Sequence, residues 1–183
     1  MHSIKLNQGF IKTKKNLLIT FYISVTIMLT ITFYCGYKSA INFKTSGEIV
    51  IGDILVETEF PFKGAMKLVT FLMIFSLVSW FTAIKIYEDA IKNLPLRIMT
   101  FIQLISIIAA TITIYELVYN FAVWNSLITS DLFKNIFDPN NAKINYPVPE
   151  VPWNLYFATQ MLLSAVIITL HSYYVMTKYK KQH

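Results

Sequence analysis

The feature that most constrains this chain is a set of four long runs that contain a single charged side chain between them. A helix needs about 20 apolar residues to cross the hydrocarbon core of a membrane, and each run is near that length or longer. Glu116 is the only charge inside the third run. The runs lie between Lys15 and Lys38, Lys67 and Lys85, Arg97 and Asp131, and Glu150 and Lys178.

A soluble four-helix bundle is the main alternative, and the residue pattern disfavours it. Only 14% of the 183 residues are charged, whereas a soluble domain carries about a quarter. Helices of a soluble bundle need a polar face, which these runs lack. The sequence therefore predicts an all-α integral membrane protein, with residues 1–183 forming one four-span domain. We place the transmembrane helices at about 17–36, 66–86, 98–124 and 153–176.

The basic residues predict how the chain is oriented. Ten of the 16 fall in the two tails and in the connection between the second and third helices, where there are two acids. The remaining two connections, at 37–65 and 125–152, hold seven acids and, with Lys67 at the edge of the first, six lysines. Because basic residues near helix ends stay on the cytoplasmic side, we expect both termini inside the cell membrane and these two loops outside. No basic groove with stacking aromatics is evident, so no nucleic-acid partner is predicted.

The two outer loops carry local structural signals. Gly52-Asp53 lies between two β-branched runs, which predicts a β-hairpin in the first loop. Such a hairpin either caps the helix ends or offers an edge strand to a partner. In the second loop, Ser130 is a candidate N-cap for a short separate helix beginning at Asp131.

The most unusual residue is the carboxylate of Glu116. It lies eight residues inside Trp124, about 12 Å along a helix. A charge at that depth costs several kcal/mol, so such residues normally face the bundle interior or water. Gln160 lies seven residues inside Trp153 on the fourth helix, about 10 Å along it. The two side chains are therefore predicted to lie at matching depth on antiparallel neighbours.

Helical periodicity extends this pair to a predicted intramembrane polar cluster. At about 100° per residue, polar side chains form one stripe on the third helix and one on the fourth, and two such stripes are expected to face each other. Three roles for the carboxylate stay open: a hydrogen-bonded structural group, a proton-accepting or cation-binding group, or a contact to another subunit. The cluster comprises Glu116, Asn120, Gln160 and Ser164.

The sequence contains no recognisable catalytic motif, neither a Ser–His–Asp order nor a glycine-rich phosphate loop nor HExxH. A single cysteine makes no internal disulfide or cysteine metal cluster. His171 has no evident partners for binding metal or haem. We therefore expect no cofactor and no metal.

These observations favour a non-catalytic membrane protein that is an accessory subunit or assembly partner of a larger complex. Its expected partners are the lipid bilayer and either other membrane-protein subunits or further copies of itself. One alternative is a small proton-coupled transporter that uses Glu116. Another is a subunit of a membrane redox or metalloenzyme that receives its ligands from elsewhere.

Overall fold

The computed structural model describes residues 2–47, 49, 51–63, 65–133 and 155–181 of the chain. Almost all of this part is helical, with one pair of two-residue strands. In chain order the elements are α1 (His2–Ser46), α2 (Ile51–Glu57), β1 (Glu59–Phe60), β2 (Met66–Lys67), α3 (Leu68–Ile86), α4 (Glu88–Lys92), α5 (Leu96–Phe133) and α6 (Leu155–Lys180).

Four helices are long and apolar enough to cross a membrane, which agrees with the predicted all-α membrane class. The shortest, α3, has 19 residues and is about 28 Å long, close to the thickness of the hydrocarbon core. The candidate spans are Lys14–Thr45, Leu68–Ile86, Leu96–Val123 and Phe157–Lys180.

The four long helices pack in a row. Helix α1 packs on α3, α3 on α6, and α6 on α5. Helices α1 and α5 make no extensive contact with each other among the described residues. They form the two ends of the row, so each has only one long helix beside it and most of its surface is open.

One buried apolar cluster joins the helices at what we call the Cys35 end of the row. Its side chains come from the second half of α1, from α2 and from the start of α3, and Phe157 and Met161 of α6 pack against it. Side chains within the candidate spans hold helices together by close packing, and those of α2, outside the spans, do so by burial of apolar surface. The buried members are Ile31, Cys35, Leu55, Val56, Leu68 and Val69.

A second cluster, at the Met99 end, shows that successive long helices alternate in direction. Met99 near the start of α5 is buried with Val175, Met176 and Tyr179 near the end of α6. Ile84, near the end of α3, packs against the same group. Helices α1 and α5 therefore run toward the Cys35 end, and α3 and α6 run away from it, as four successive crossings require.

Two helices are much longer than their predicted spans. Helix α1 covers His2–Ser46 and α5 covers Leu96–Phe133, because charged residues end a hydrophobic run without ending a helix. Helix α1 stops at Gly47, which has φ of +77° and donates its N–H to the carbonyl of Phe43 at 3.0 Å. Glycine adopts this left-handed conformation without steric penalty.

Helix α5 continues through Ser130 to Phe133, so no separate helix begins at Asp131 within the described residues. Most of the second outer loop, and Trp153 at the predicted start of the fourth span, lie outside the described residues.

The prediction of a hairpin around Gly52-Asp53 is wrong, since this segment forms helix α2. Helical geometry lets the consecutive residues Leu55 and Val56 both enter the Cys35-end cluster, whereas a strand would point one of them outward. Asp53 also lies favourably in the first helical turn. A two-residue antiparallel pairing occurs later, where β1 pairs with β2.

Candidate intramembrane polar site

The predicted polar cluster lies at the contact between α5 and α6. Seven of the buried or half-buried side chains of α5 here recur at alternating spacings of three and four residues, as expected for two helices packed along their length. They are Met99, Gln103, Ser106, Ala110, Thr113, Leu117 and Asn120.

A hydrogen bond between side chains fixes the register of the two helices. Gln103 donates through Nε2 to Oγ1 of Thr177 at 2.9 Å. Because α5 and α6 are antiparallel, a step of one residue toward the C-terminus of α5 corresponds to a step of one residue toward the N-terminus of α6. Glu116 is therefore level with Ser164, and Asn120 is level with Gln160. The sequence had paired Glu116 with Gln160, one helical turn away.

Three members of the predicted cluster lie in the interior. Asn120 is 6% exposed and Ser164 is 4% exposed. Ser164 donates its hydroxyl to the carbonyl of Met161 on its own helix at 2.8 Å. Gln160 is half-buried, and its Oε1 has no hydrogen-bond partner among the described residues. An unpaired buried acceptor is unfavourable, and Asn120 carries amide donors at the same level.

Glu116, in contrast, is exposed. At 100° per residue it lies about 40° from Asn120 and 60° from Thr113, just outside the buried stripe. We expected Glu116 to face the bundle interior, but it does not. The buried stripe of α5 is centred near Leu117, and Glu116 lies beyond its edge. Exposed apolar side chains surround it on the same side of α5. We call this surface the Glu116 face, and its members are Phe101, Ile105, Ile112, Glu116 and Tyr119.

A polar contact that the sequence did not reveal joins α3 to α6. The indole N–H of Trp80 donates to Nδ1 of His171 at 3.1 Å, and the ring of Phe81 lies 4.5 Å from the imidazole, centroid to centroid. Since Nδ1 accepts, a neutral His171 carries its proton on Nε2. The two partners are 91 residues apart, and no spacing rule connects residues at that separation.

The Met99 end holds a second polar group that the sequence reading missed. Glu88 Oε1 accepts from the hydroxyl of Tyr179 at 2.9 Å and lies 2.9 Å from Nζ of Lys92. The hydrogen bond from Lys92, and then that from Tyr179, lower the pKa of the Glu88 carboxyl. This arrangement ties α4 to the end of α6.

Within the described ranges, no three His, Cys, Asp or Glu side chains come close enough together to bind a metal ion. The three interhelical or inter-element polar contacts above hold helices together, and each has an obvious structural role. Glu116 is different because no described residue forms a hydrogen bond or ion pair with it.

Comparison with known proteins gives no assignment. No family model, no curated protein and no solved structure matches this chain.

Proposed function

We propose that this protein is a non-catalytic subunit of the cell membrane, with both termini cytoplasmic, that assembles side by side with other membrane-protein chains. The observation that supports the proposal is the exposure of Glu116 on the open side of α5, at one end of the helix row. An accessory subunit of a larger complex needs a lateral surface of this kind.

The exposure of Glu116 matters because of the depth at which this residue lies in the predicted membrane. Trp80 and His171 align α3 with α6, so the level of Ser164, and hence of Glu116, corresponds to Met73. Met73 is five residues, or about 7.5 Å, inside the first residue of α3. A carboxylate that contacts lipid tails at this depth is costly, although less than at the midplane.

The direction of α5 prevents Glu116 from reaching the nearer surface easily. Side chains on an α-helix lean toward its N-terminus, and the N-terminus of α5 lies at the Met99 end. The carboxylate therefore leans deeper into the hydrocarbon layer. A polar or basic group from another chain would remove this penalty. The other helices of the row do not, because Glu116 is exposed on the outer side of α5.

A carrier or redox role has less support. A carboxylate that carries protons or substrate normally lines a pathway between helices, whereas Glu116 lies on the outer surface of α5. A redox or metal centre needs clustered ligands, and the described residues contain no such cluster.

Native extraction in mild detergent tests the proposal. We expect the wild-type chain to migrate as a defined complex larger than one copy, and Glu116→Gln to weaken that complex. Ile114→Gln is the matched control, because Ile114 is exposed and lies about 160° around the same helix at nearly the same depth. If the wild-type chain extracted from native membranes migrates as a single copy without a partner, the proposal is contradicted.

A further inference from the structure

We propose that the group covering Glu116 is the α1 helix of a second copy of this chain, with Lys38 as the partner of the carboxylate. The inference rests on the proposed lateral assembly and names its partner. It places the Glu116 face of α5 in one copy against the exposed side chains of Tyr34 and Lys38 on α1 in the next, so that copies join head to tail.

The levels of the helices bring the two charges together. Ser79 of α3 donates its hydroxyl to the sulfur of Met28 at 3.6 Å, which aligns α3 with the antiparallel α1. The level of Met73, which is that of Glu116, then corresponds to Tyr34 on α1. Lys38 is four residues further along, about 6 Å nearer the Cys35 end.

The side chains of Lys38 and Glu116 both lean toward the N-termini of their parallel helices, so the greater length of the Lys38 side chain closes this gap. Both α1 and α5 run toward the Cys35 end, so two copies inserted the same way round present these helices in parallel. The side chain of Lys38 leans back toward the N-terminus of α1, that is, toward the level of Tyr34. Its four-carbon stem is long enough to span about one turn and place the ammonium beside Glu116.

The surface of α1 is free to make this contact. Lys38 is exposed, and Tyr34, one turn before it on the same side, is 42% exposed. The phenol of Tyr34 offers a second hydrogen-bond donor to the carboxylate. Within the described part of the chain, neither Lys38 nor Glu116 has an ion-pair partner. Each charge lies on an end helix of the row, where no other long helix covers it.

The negative charge of Glu116 disfavours a two-fold symmetric contact between the Glu116 faces of two copies. A two-fold axis would oppose Glu116 to Glu116, and like charges across an interface are unfavourable. A head-to-tail contact opposes acid to base instead. Such a contact repeats from copy to copy and gives a closed ring or a line of subunits.

Neutral variants give a direct test in purified protein reconstituted into lipid nanodiscs large enough for several copies. Every head-to-tail contact needs Glu116 from one copy and Lys38 from the next. Glu116→Gln alone and Lys38→Gln alone are each expected to weaken assembly about tenfold, in line with the loss of one charged interhelical contact. An equal mixture of the two variants still offers one intact contact for each pair of unlike copies, so dimers should predominate over larger assemblies.

The charge swap is the second arm of this test. Copies that carry both Glu116→Lys and Lys38→Glu should assemble again, whereas either single change abolishes assembly. Ile114→Gln should assemble like the wild type. If the single neutral variants assemble normally, the Lys38 contact is overturned while lateral assembly stands. If the wild type is a single copy, both proposals fail.

Cysteine cross-linking in native membranes tests the geometry independently of affinity. By the same register, Ile112 is level with Thr30, and both are exposed. In a Cys35→Ala background, copies with Thr30→Cys mixed with copies with Ile112→Cys should give an oxidised dimer. Copies with Ile114→Cys, facing away, should not. Equal cross-linking at 112 and 114, none at 112, or a product with a different protein overturns the inference.

Discussion

The indole N–H of Trp80 and Nδ1 of His171 form a hydrogen bond of 3.1 Å that joins α3 to α6. It lies at the centre of the row, between the α1–α3 pair and the α5–α6 pair. The contact therefore connects two helical hairpins rather than strengthening either one.

A double-mutant cycle measures what this bond contributes. We expect Trp80→Phe and His171→Phe each to destabilise the fold, with a coupling energy of about 1 kcal/mol. Reversible unfolding in mixed detergent micelles gives the four free energies of unfolding. Additive effects of the two changes would show that the bond contributes only packing.

The bond from Gln103 to Thr177 allows a test with a matched control. Thr177→Val keeps the shape of the side chain and removes the acceptor of a 2.9 Å bond between α5 and α6. We expect a loss of about 1 kcal/mol in the free energy of unfolding. Thr111→Val removes a hydroxyl that bonds only the carbonyl of Ile107 on its own helix, so its effect should be within about 0.5 kcal/mol. Equal losses would contradict the assigned register.

The lowered pKa of Glu88 predicts an acid-sensitive contact at the Met99 end. A carboxyl whose pKa is lowered by folding contributes stability at neutral pH, and this contribution disappears as the pH falls through the folded-state pKa. The stability difference between wild type and Glu88→Gln should therefore shrink below about pH 4.

Unfolding in detergent between pH 7 and 3 measures this difference, with Asp89→Asn as the control at an exposed neighbouring acid. Because the Glu88 side chain is 30% exposed, solvent screening keeps the effect modest. A difference that is independent of pH would show that the contact with Lys92 and Tyr179 does not depend on ionisation.

Helix α2 can be distinguished from the hairpin that the sequence suggests. Leu55→Ala and Val56→Ala should both destabilise the protein, by about 2 kcal/mol for the leucine and 1 kcal/mol or more for the valine. Both side chains are at least 95% buried, whereas Ile51 is 42% exposed, so Ile51→Ala should have little effect. In a strand the consecutive residues 55 and 56 would face opposite sides, and only one of the two changes would matter.

The sequence predicted the number and class of the spans because hydrophobicity reports directly on the solvent around a segment. It did not predict where the helices end, since Lys38 and Lys44 stop an apolar run but favour rather than oppose helix. It also misplaced the segment around Gly52, where burial of Leu55 and Val56 together outweighs local β propensity.

The candidate site shows a similar division. Two members of the predicted polar stripes, Asn120 and Ser164, are buried. Glu116 lies only about 40° from Asn120, and a single sequence does not reveal which edge of a stripe the partner helix covers. The register came from Gln103 and Thr177, a long-range pair that local pattern does not encode.

The order of helices in the row also has a consequence for biosynthesis. A ribosome delivers α1 and α3 as a finished pair, but α5 emerges before α6, the long helix on which it packs. The buried stripe of the third span, including Asn120, must therefore stay uncovered until the last span is inserted. We expect the halves 1–92 and 93–183 to recombine when co-expressed, and 1–133 alone to be degraded faster than 1–92 alone.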